Sequence, residues 1–179
     1  MNPYVIFAAA SAVYIGCVAH VVEKEKLTVV AQPQVQNTPY IEHKESVNAQ
    51  YKIKRCKHDR QCWKMAEAIV WEARGESILG QVGVAYVIKN RVEDSRWPDD
   101  VFGVVRQKAQ FSYVRDWHKQ TPPSDRDWNK ALSVAYDVLN ENIEDITNGA
   151  THYHTKTVAP KWKDGVEYVL TVDNHHFYR

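Results

Sequence analysis

Hydrophobic and polar positions divide the 179-residue chain into stretches of different kinds. Pro3 to Val22 contains no Lys, Arg, Asp or Glu, and twenty residues of helix span about 30 Å, the thickness of a bilayer's hydrocarbon. This run predicts a transmembrane signal-anchor over 1–22 that leaves the C-terminal bulk outside the cytoplasm. From Glu23 to Arg55 no stripe emerges at helical or strand spacing, and glutamines mingle with Pro33, Pro39 and scattered charges. That stretch reads as a flexible linker over 23–55. From Trp63 to Arg74, Met65, Ala66, Ile69, Val70 and Ala73 share one side of a helix. A second helix, from Ser77 to Val92, is apolar on most faces and so central, and its Gly80 and Gly83 allow a close neighbour. A short helix around Val101 to Val105 follows. The clearest amphipathic helix then runs from Ser124 to Asn142, opened by Ser124 and Asp127 in an N-cap pattern. The folded part, 56–179, is therefore mainly α (α+β), with a small C-terminal β element.

Composition narrows the function. Lys and Arg number 23 against 22 Asp and Glu, a net charge of +1. That excludes general nucleic-acid binding, which needs a concentrated basic face. Cys56 and Cys62, in a chain that leaves the cytoplasm, read as a small disulfide loop, with two unpaired core thiols as the alternative. Nothing calls for a cofactor.

Glu72 is the residue that departs from its helix's pattern. It projects beside Met65 and Ile69, at the edge of the apolar stripe, where partial desolvation raises a carboxyl's pKa. A general acid at neutral pH needs that property; a buried carboxyl paired with Arg74 or Arg91 is the alternative. Gly75 is placed to end the helix in a left-handed conformation. Glu76 is either a second catalytic carboxylate or a helix-start residue favoured by the dipole. His152 and His154 would share a strand face, a spacing that suits zinc and a metal-dependent peptidase or amidase. However, no H-E-x-x-H or completing ligand is evident.

The run Trp71-Glu72-Ala73-Arg74-Gly75-Glu76, then Gly80-Gln81-Val82-Gly83-Val84-Ala85 and Asn90-Arg91-Val92, resembles the signature of the SleB-type cell wall hydrolases, the spore cortex-lytic family. Trp97-Pro98, Val101-Phe102-Gly103-Val104-Val105 and Gln110-Phe111-Ser112 are similar to its next block. Asn148 to His154, Pro160 with Trp162, and His175-His176-Phe177-Tyr178 resemble its last. The resemblance implies a lysozyme-like fold acting on peptidoglycan, with one essential glutamate at Glu72. It also implies a cleft to which Gln110, Phe111, Ser112, Tyr153 and His154 contribute. Cleavage between N-acetylmuramic acid and N-acetylglucosamine is the expected reaction, by lytic transglycosylase or muramidase chemistry. A phage endolysin and a bacterial wall-remodelling enzyme both fit; a non-catalytic wall-binding module is a third reading.

Overall fold

A computed structural model describes residues 39–107, 111 and 121–179, with side chains from residue 45 onward. The expected membrane segment at 1–22 and the linker's first part, 23–38, lie outside the described residues. Among those described, no helix is long and apolar enough to cross a membrane.

The second part of the expected linker is corrected, because Pro39–His58 forms a helix, α1. The folded unit accordingly includes the described residues from Pro39 onward and not only those from Cys56. Proline opens α1, and Arg55, Lys57 and His58 sit in its last turn, where the helix dipole favours positive charge. Among the described side chains of α1, those from residue 45 on, only Ile53 and Cys56 are buried, too few to leave a periodic trace. Tertiary contacts hold the helix instead. Lys52 Nζ lies 2.8 Å from Asp137 Oδ2, and Tyr51 meets Tyr136 edge-on at 6.1 Å.

Asp59 interrupts the chain for one residue and caps α2 (Arg60–Ala73) by accepting from the Cys62 amide at 2.8 Å. Across this break Cys56 and Cys62 form a disulfide, with Cα atoms 5.1 Å apart. The buried side of α2 carries Met65, Ala66, Ile69, Val70 and Ala73, as its spacing predicts. Helix α3 (Ile78–Glu93) is buried on most faces and passes through the centre. Helix α4 (Val101–Arg106) and α5 (Asp125–Leu139) close the helical core around α2. A reciprocal capping box between Ser124 and Asp127 starts α5.

The C-terminal element is a three-stranded antiparallel sheet of β1 (His152–Thr155), β2 (Tyr168–Val172) and β3 (His175–Tyr178), in the order β1-β3-β2. Its inner face sets Phe177 against α3. A Cβ at Gly83 would meet the Phe177 ring at 2.6 Å, so the glycine provides the seat. On the outer face the rings of His152, His154, Tyr178 and Trp162 pack together. Trp162 comes from a 3-10 turn at Lys161–Gly165. The chain is thus mostly helical with one small sheet.

Candidate active site

Glu72 sits in the last turn of α2, half-buried. Its neighbour across the fold is Tyr153 on β1, whose hydroxyl donates to Glu72 Oε2 at 3.5 Å. Strand alternation turns Tyr153 to the inner face, where it pairs in register with Phe177. Under it lies His175, buried at 2% exposure, with its ring edge-on to Tyr153 at 5.1 Å. Burial pushes the His175 pKa below the usual imidazole value, against the opposing pull of Glu76 and Asp173. A neutral imidazole therefore supports the tyrosine that contacts Glu72.

Glu76 faces elsewhere. Both its carboxylate oxygens accept from Asn174, one from the backbone N–H and one from the side-chain amide, each at 3.1 Å. The adjacent Asp173, at φ 48°, accepts from the Ser77 amide at 2.8 Å. A Cβ on Gly80 would lie 2.5 Å from Asp173 Oδ2. Glu76, Ser77 and Gly80 thus latch the β2–β3 turn to the start of α3. Gly75 is not left-handed: among the described glycines only Gly149 has a positive φ, 80°. The chain leaves α2 through a bond from Glu76 N to Ala73 O at 3.0 Å instead.

The far end of α3 holds the chain leading into β1. Asn90 Nδ2 donates to Asp145 Oδ2 at 3.1 Å and to Ala150 O at 3.0 Å. Arg91 Nε donates to Thr151 O at 2.7 Å, and its guanidinium lies 4.3 Å from the centre of the Trp97 ring. Burial lowers the Arg91 pKa to about 10, which leaves it charged at neutral pH. Arg74, two residues after Glu72, donates to Thr121 O at 2.6 Å and sits over Trp71 at 5.5 Å.

Gln110 and Ser112 lie outside the described residues. Phe111, 3% exposed, belongs to the helical core near Arg91, so its ring supports the fold from beneath and offers no open face to a sugar. His154 points to the sheet face opposite Tyr153. Its Nε2 accepts from the Tyr178 hydroxyl at 2.9 Å, and its Nδ1 donates to Thr155 O at 2.9 Å. His152 and His154 do share a face, but no group of three or more His, Cys, Asp or Glu among the described residues is arranged to hold a metal ion. The Asp173–Asn174 latch and the support from His175 were missed by sequence reasoning. An Asp-Asn pair between two strand-like runs was the available signal for the turn, but not for its partner.

The profile of the Cell Wall Hydrolase family matches residues 75–178. The match begins after Glu72 and includes Glu76, Tyr153 and His175. A spore cortex-lytic enzyme of Halalkalibacterium halodurans is 38% identical over 95 residues, 53% of this chain and 27% of its own length. One from Bacillus cereus is 34% identical over 98 residues, 55% of this chain and 36% of its own. The chain thus spans between a quarter and two fifths of these curated relatives. Among solved structures, the catalytic domain of the germination-specific lytic transglycosylase SleB from Bacillus anthracis superposes with a TM-score of 0.58 at 31% identity. That alignment covers 68% of this chain and 97% of the SleB domain. The Bacillus cereus SleB catalytic domain gives 0.55 at 32% identity, over 66% and 89%. With most of its folded unit matched in both sequence and structure, the chain belongs to the Cell Wall Hydrolase family and is of the SleB type.

Proposed function

We propose that this chain cleaves the glycan strands of peptidoglycan between N-acetylmuramic acid and N-acetylglucosamine, as a lytic transglycosylase with Glu72 as its single acid and base. The observation that carries this reading is the contrast between two carboxylates four residues apart. Glu72 is half-buried against the Tyr153 hydroxyl, whereas both oxygens of Glu76 are engaged by Asn174. The likeness to a SleB domain described as a lytic transglycosylase supports it further.

The chemistry needs one proton, used twice. Protonated Glu72 gives its proton to the glycosidic oxygen as the C1–O bond breaks, and the muramic ring gains oxocarbenium character. The resulting carboxylate takes the proton of the same sugar's 6-hydroxyl, whose oxygen bonds to C1. The product is a 1,6-anhydro sugar, and Glu72 is protonated again. Tyr153 holds one carboxyl oxygen in place through both transfers, and a preset geometry of this kind lowers the barrier. We read the helical core with its sheet as lysozyme-like. In this reading Gln110, Ser112 and His154 contact the sugar strand.

We further propose that residues 1–22 deliver the domain beyond the cytoplasm and keep it at a membrane. The Cys56–Cys62 disulfide favours an oxidising compartment. A phage endolysin exported by its own apolar segment is the setting we favour. A zinc-dependent peptidase has less support, because both ring nitrogens of His154 are taken up within the fold.

Mass spectrometry of purified peptidoglycan digested by the full chain, beside Glu72→Gln, tests the reaction. Anhydro-muropeptides that vanish in the variant are expected. Reducing-end muramic acid would replace transglycosylation by hydrolysis, and intact glycan with cut peptides would overturn the glycosidase reading.

A further inference from the structure

A groove lies between the end of α1, the first half of α2 and the start of α5. It has a cavity volume of about 490 Å³ and is lined by Lys57, Trp63, Asp125, Trp128, Asn129 and Leu132. Volumes of about 300–1,000 Å³ are usual for small-ligand sites. Trp63 and Trp128 form its apolar wall, edge to face with ring centroids 4.5 Å apart. Trp63 is nonetheless 40% exposed, a large apolar area to leave in water. Trp63 also lines a second hollow of about 230 Å³, with Arg60, Lys64, Glu67 and Phe102. There the Arg60 and Arg106 guanidinium groups stand 4.1 and 5.1 Å from the Phe102 ring.

We propose that this groove is a second glycan-binding site, which holds an uncleaved stretch of peptidoglycan while Glu72 works on another. The inference rests on the reading of peptidoglycan as substrate, and three observations select this occupant. A pyranose ring presents a face of C–H bonds that packs on an indole, and Trp63 lines both hollows. Hydroxyl and acetamido groups need planar donors and acceptors beside that face. The side chains of Asp125 and Asn129 stand there without hydrogen-bond partners among the described residues. Finally, stem peptides give peptidoglycan a negative charge. Lys57, Arg60 and Arg106 line or flank the track without an ion pair among the described residues, Lys64 and Glu67 pair with each other, and Asp125 is the one opposing carboxylate among the named lining residues, so the track keeps a positive local charge although the whole chain carries only +1.

The site is distinct from the acid. Trp63 precedes Glu72 by nine residues of α2. At about 100° and 1.5 Å per residue this places them on opposite sides of the helix, about 14 Å apart along its axis. A ligand in the groove therefore reaches the active site only through the length of the polymer. The expected consequence is tighter retention on an insoluble wall with no effect on cleavage of a short fragment.

The test uses the full chain carrying Glu72→Gln, so that the polymer stays intact, and measures co-sedimentation with purified sacculi. Adding Trp63→Ala is expected to weaken binding about tenfold, the loss typical of removing one aromatic anchor. Asn129→Ala and Lys57→Ala, which remove polar groups without emptying the core, are expected to weaken it by smaller factors. With Glu72 intact, Trp63→Ala leaves turnover of a soluble glycan tetrasaccharide unchanged. Sacculus binding that survives all three substitutions overturns the proposal. So does a Trp63→Ala variant that is folded by thermal melting yet loses tetrasaccharide turnover equally, since Trp63 would then act through the active site. A shift in sedimentation-velocity mass with unaltered sacculus binding also overturns it, because a second copy of the chain would be the occupant. Native protein that is held on sacculi through Trp63 but releases no sugar fragments keeps the groove and sinks the cleavage reading instead.

Discussion

Replacing Glu76 by Gln separates the roles of the two carboxylates in the Trp71–Glu76 run. Glu76 accepts from the Asn174 backbone and side chain at 3.1 Å each, at the rim of the fold. Glutamine keeps the side chain's length but has one acceptor oxygen and an NH2, so one bond survives and a donor faces a donor. A hydrogen bond to a charged group contributes about 1.5–3 kcal/mol, and solvent at this rim brings the expected loss nearer 1 kcal/mol. For a folded unit of this size that lowers Tm by roughly 3–4 °C. The Ser77–Asp173 bond remains, so the sheet stays docked and Glu72 keeps its neighbour. Cleavage of purified peptidoglycan, followed by mass spectrometry of released muropeptides, should therefore stay near the native rate. Glu72→Gln should show the reverse, with a Tm close to native and a rate lower by at least about 10²-fold, the scale of a lost general acid. The reasoning fails if Glu76→Gln melts like the native chain and yet loses about 10²-fold in rate. Glu76 would then be a second catalytic carboxylate.

Three further outcomes follow from the same geometry. Tyr153→Phe removes only the hydroxyl at 3.5 Å from Glu72 Oε2; it should lower kcat by roughly tenfold, with little change in Tm, and an unchanged pH–rate profile would show that this hydroxyl does not tune the acid. Burial holds the His175 pKa down in the folded state, so the unfolded chain binds the proton first. Stability from this group is full above about pH 6.5 and falls as the pH drops below it. Melting curves from pH 7.5 to 5 should show that decline, with a flatter slope in His175→Gln; equal slopes would refute it. Gly83→Ala places a methyl 2.6 Å from Phe177 Cζ, an overpacking expected to destabilise by about 1–3 kcal/mol. Chemical denaturation should report the loss, and cleavage should weaken with it.

The helices that sequence reasoning found are those whose apolar residues repeat at helical spacing. Met65, Ile69 and Val70 mark α2, Ser124 and Asp127 visibly open α5, and a run apolar on most faces marks α3. Helix α1 escaped because Ile53 and Cys56 are the only buried residues among its described side chains, and Lys52 and Tyr51 add polar and amphipathic contacts to α5 that leave no stripe. Tyr153 was legible in part, since period-two alternation separates it from His152 and His154, and the contact with Glu72 gives that separation its meaning. The Glu76–Asn174 and Ser77–Asp173 bonds join residues 98 and 96 positions apart. A single polar contact over that distance has no periodic signature, so Glu76 read equally well as catalyst or helix-start residue.

The contact between Glu72 and Tyr153 spans 81 positions, and α3 sets its geometry by gripping the sheet at three places. Its start catches the β2–β3 turn through Ser77 and the close approach at Gly80. Its middle receives Phe177 at Gly83. Its end fixes the approach to β1 through Asn90 and Arg91. Phe177 pairs in register with Tyr153, so seating one side chain orients the other. A slip of one residue in β1 would turn Tyr153 to the outer face and bring His152 or His154 inward. Such a slip would have to break the clamp at Ala150 and Thr151, where Asn148 and Gly149, at φ 48° and 80°, already turn the chain sharply. The sheet's small size is therefore sufficient, because its register is held by a helix buried along most of its length, and the same helix follows α2, which carries Glu72, after only a short turn.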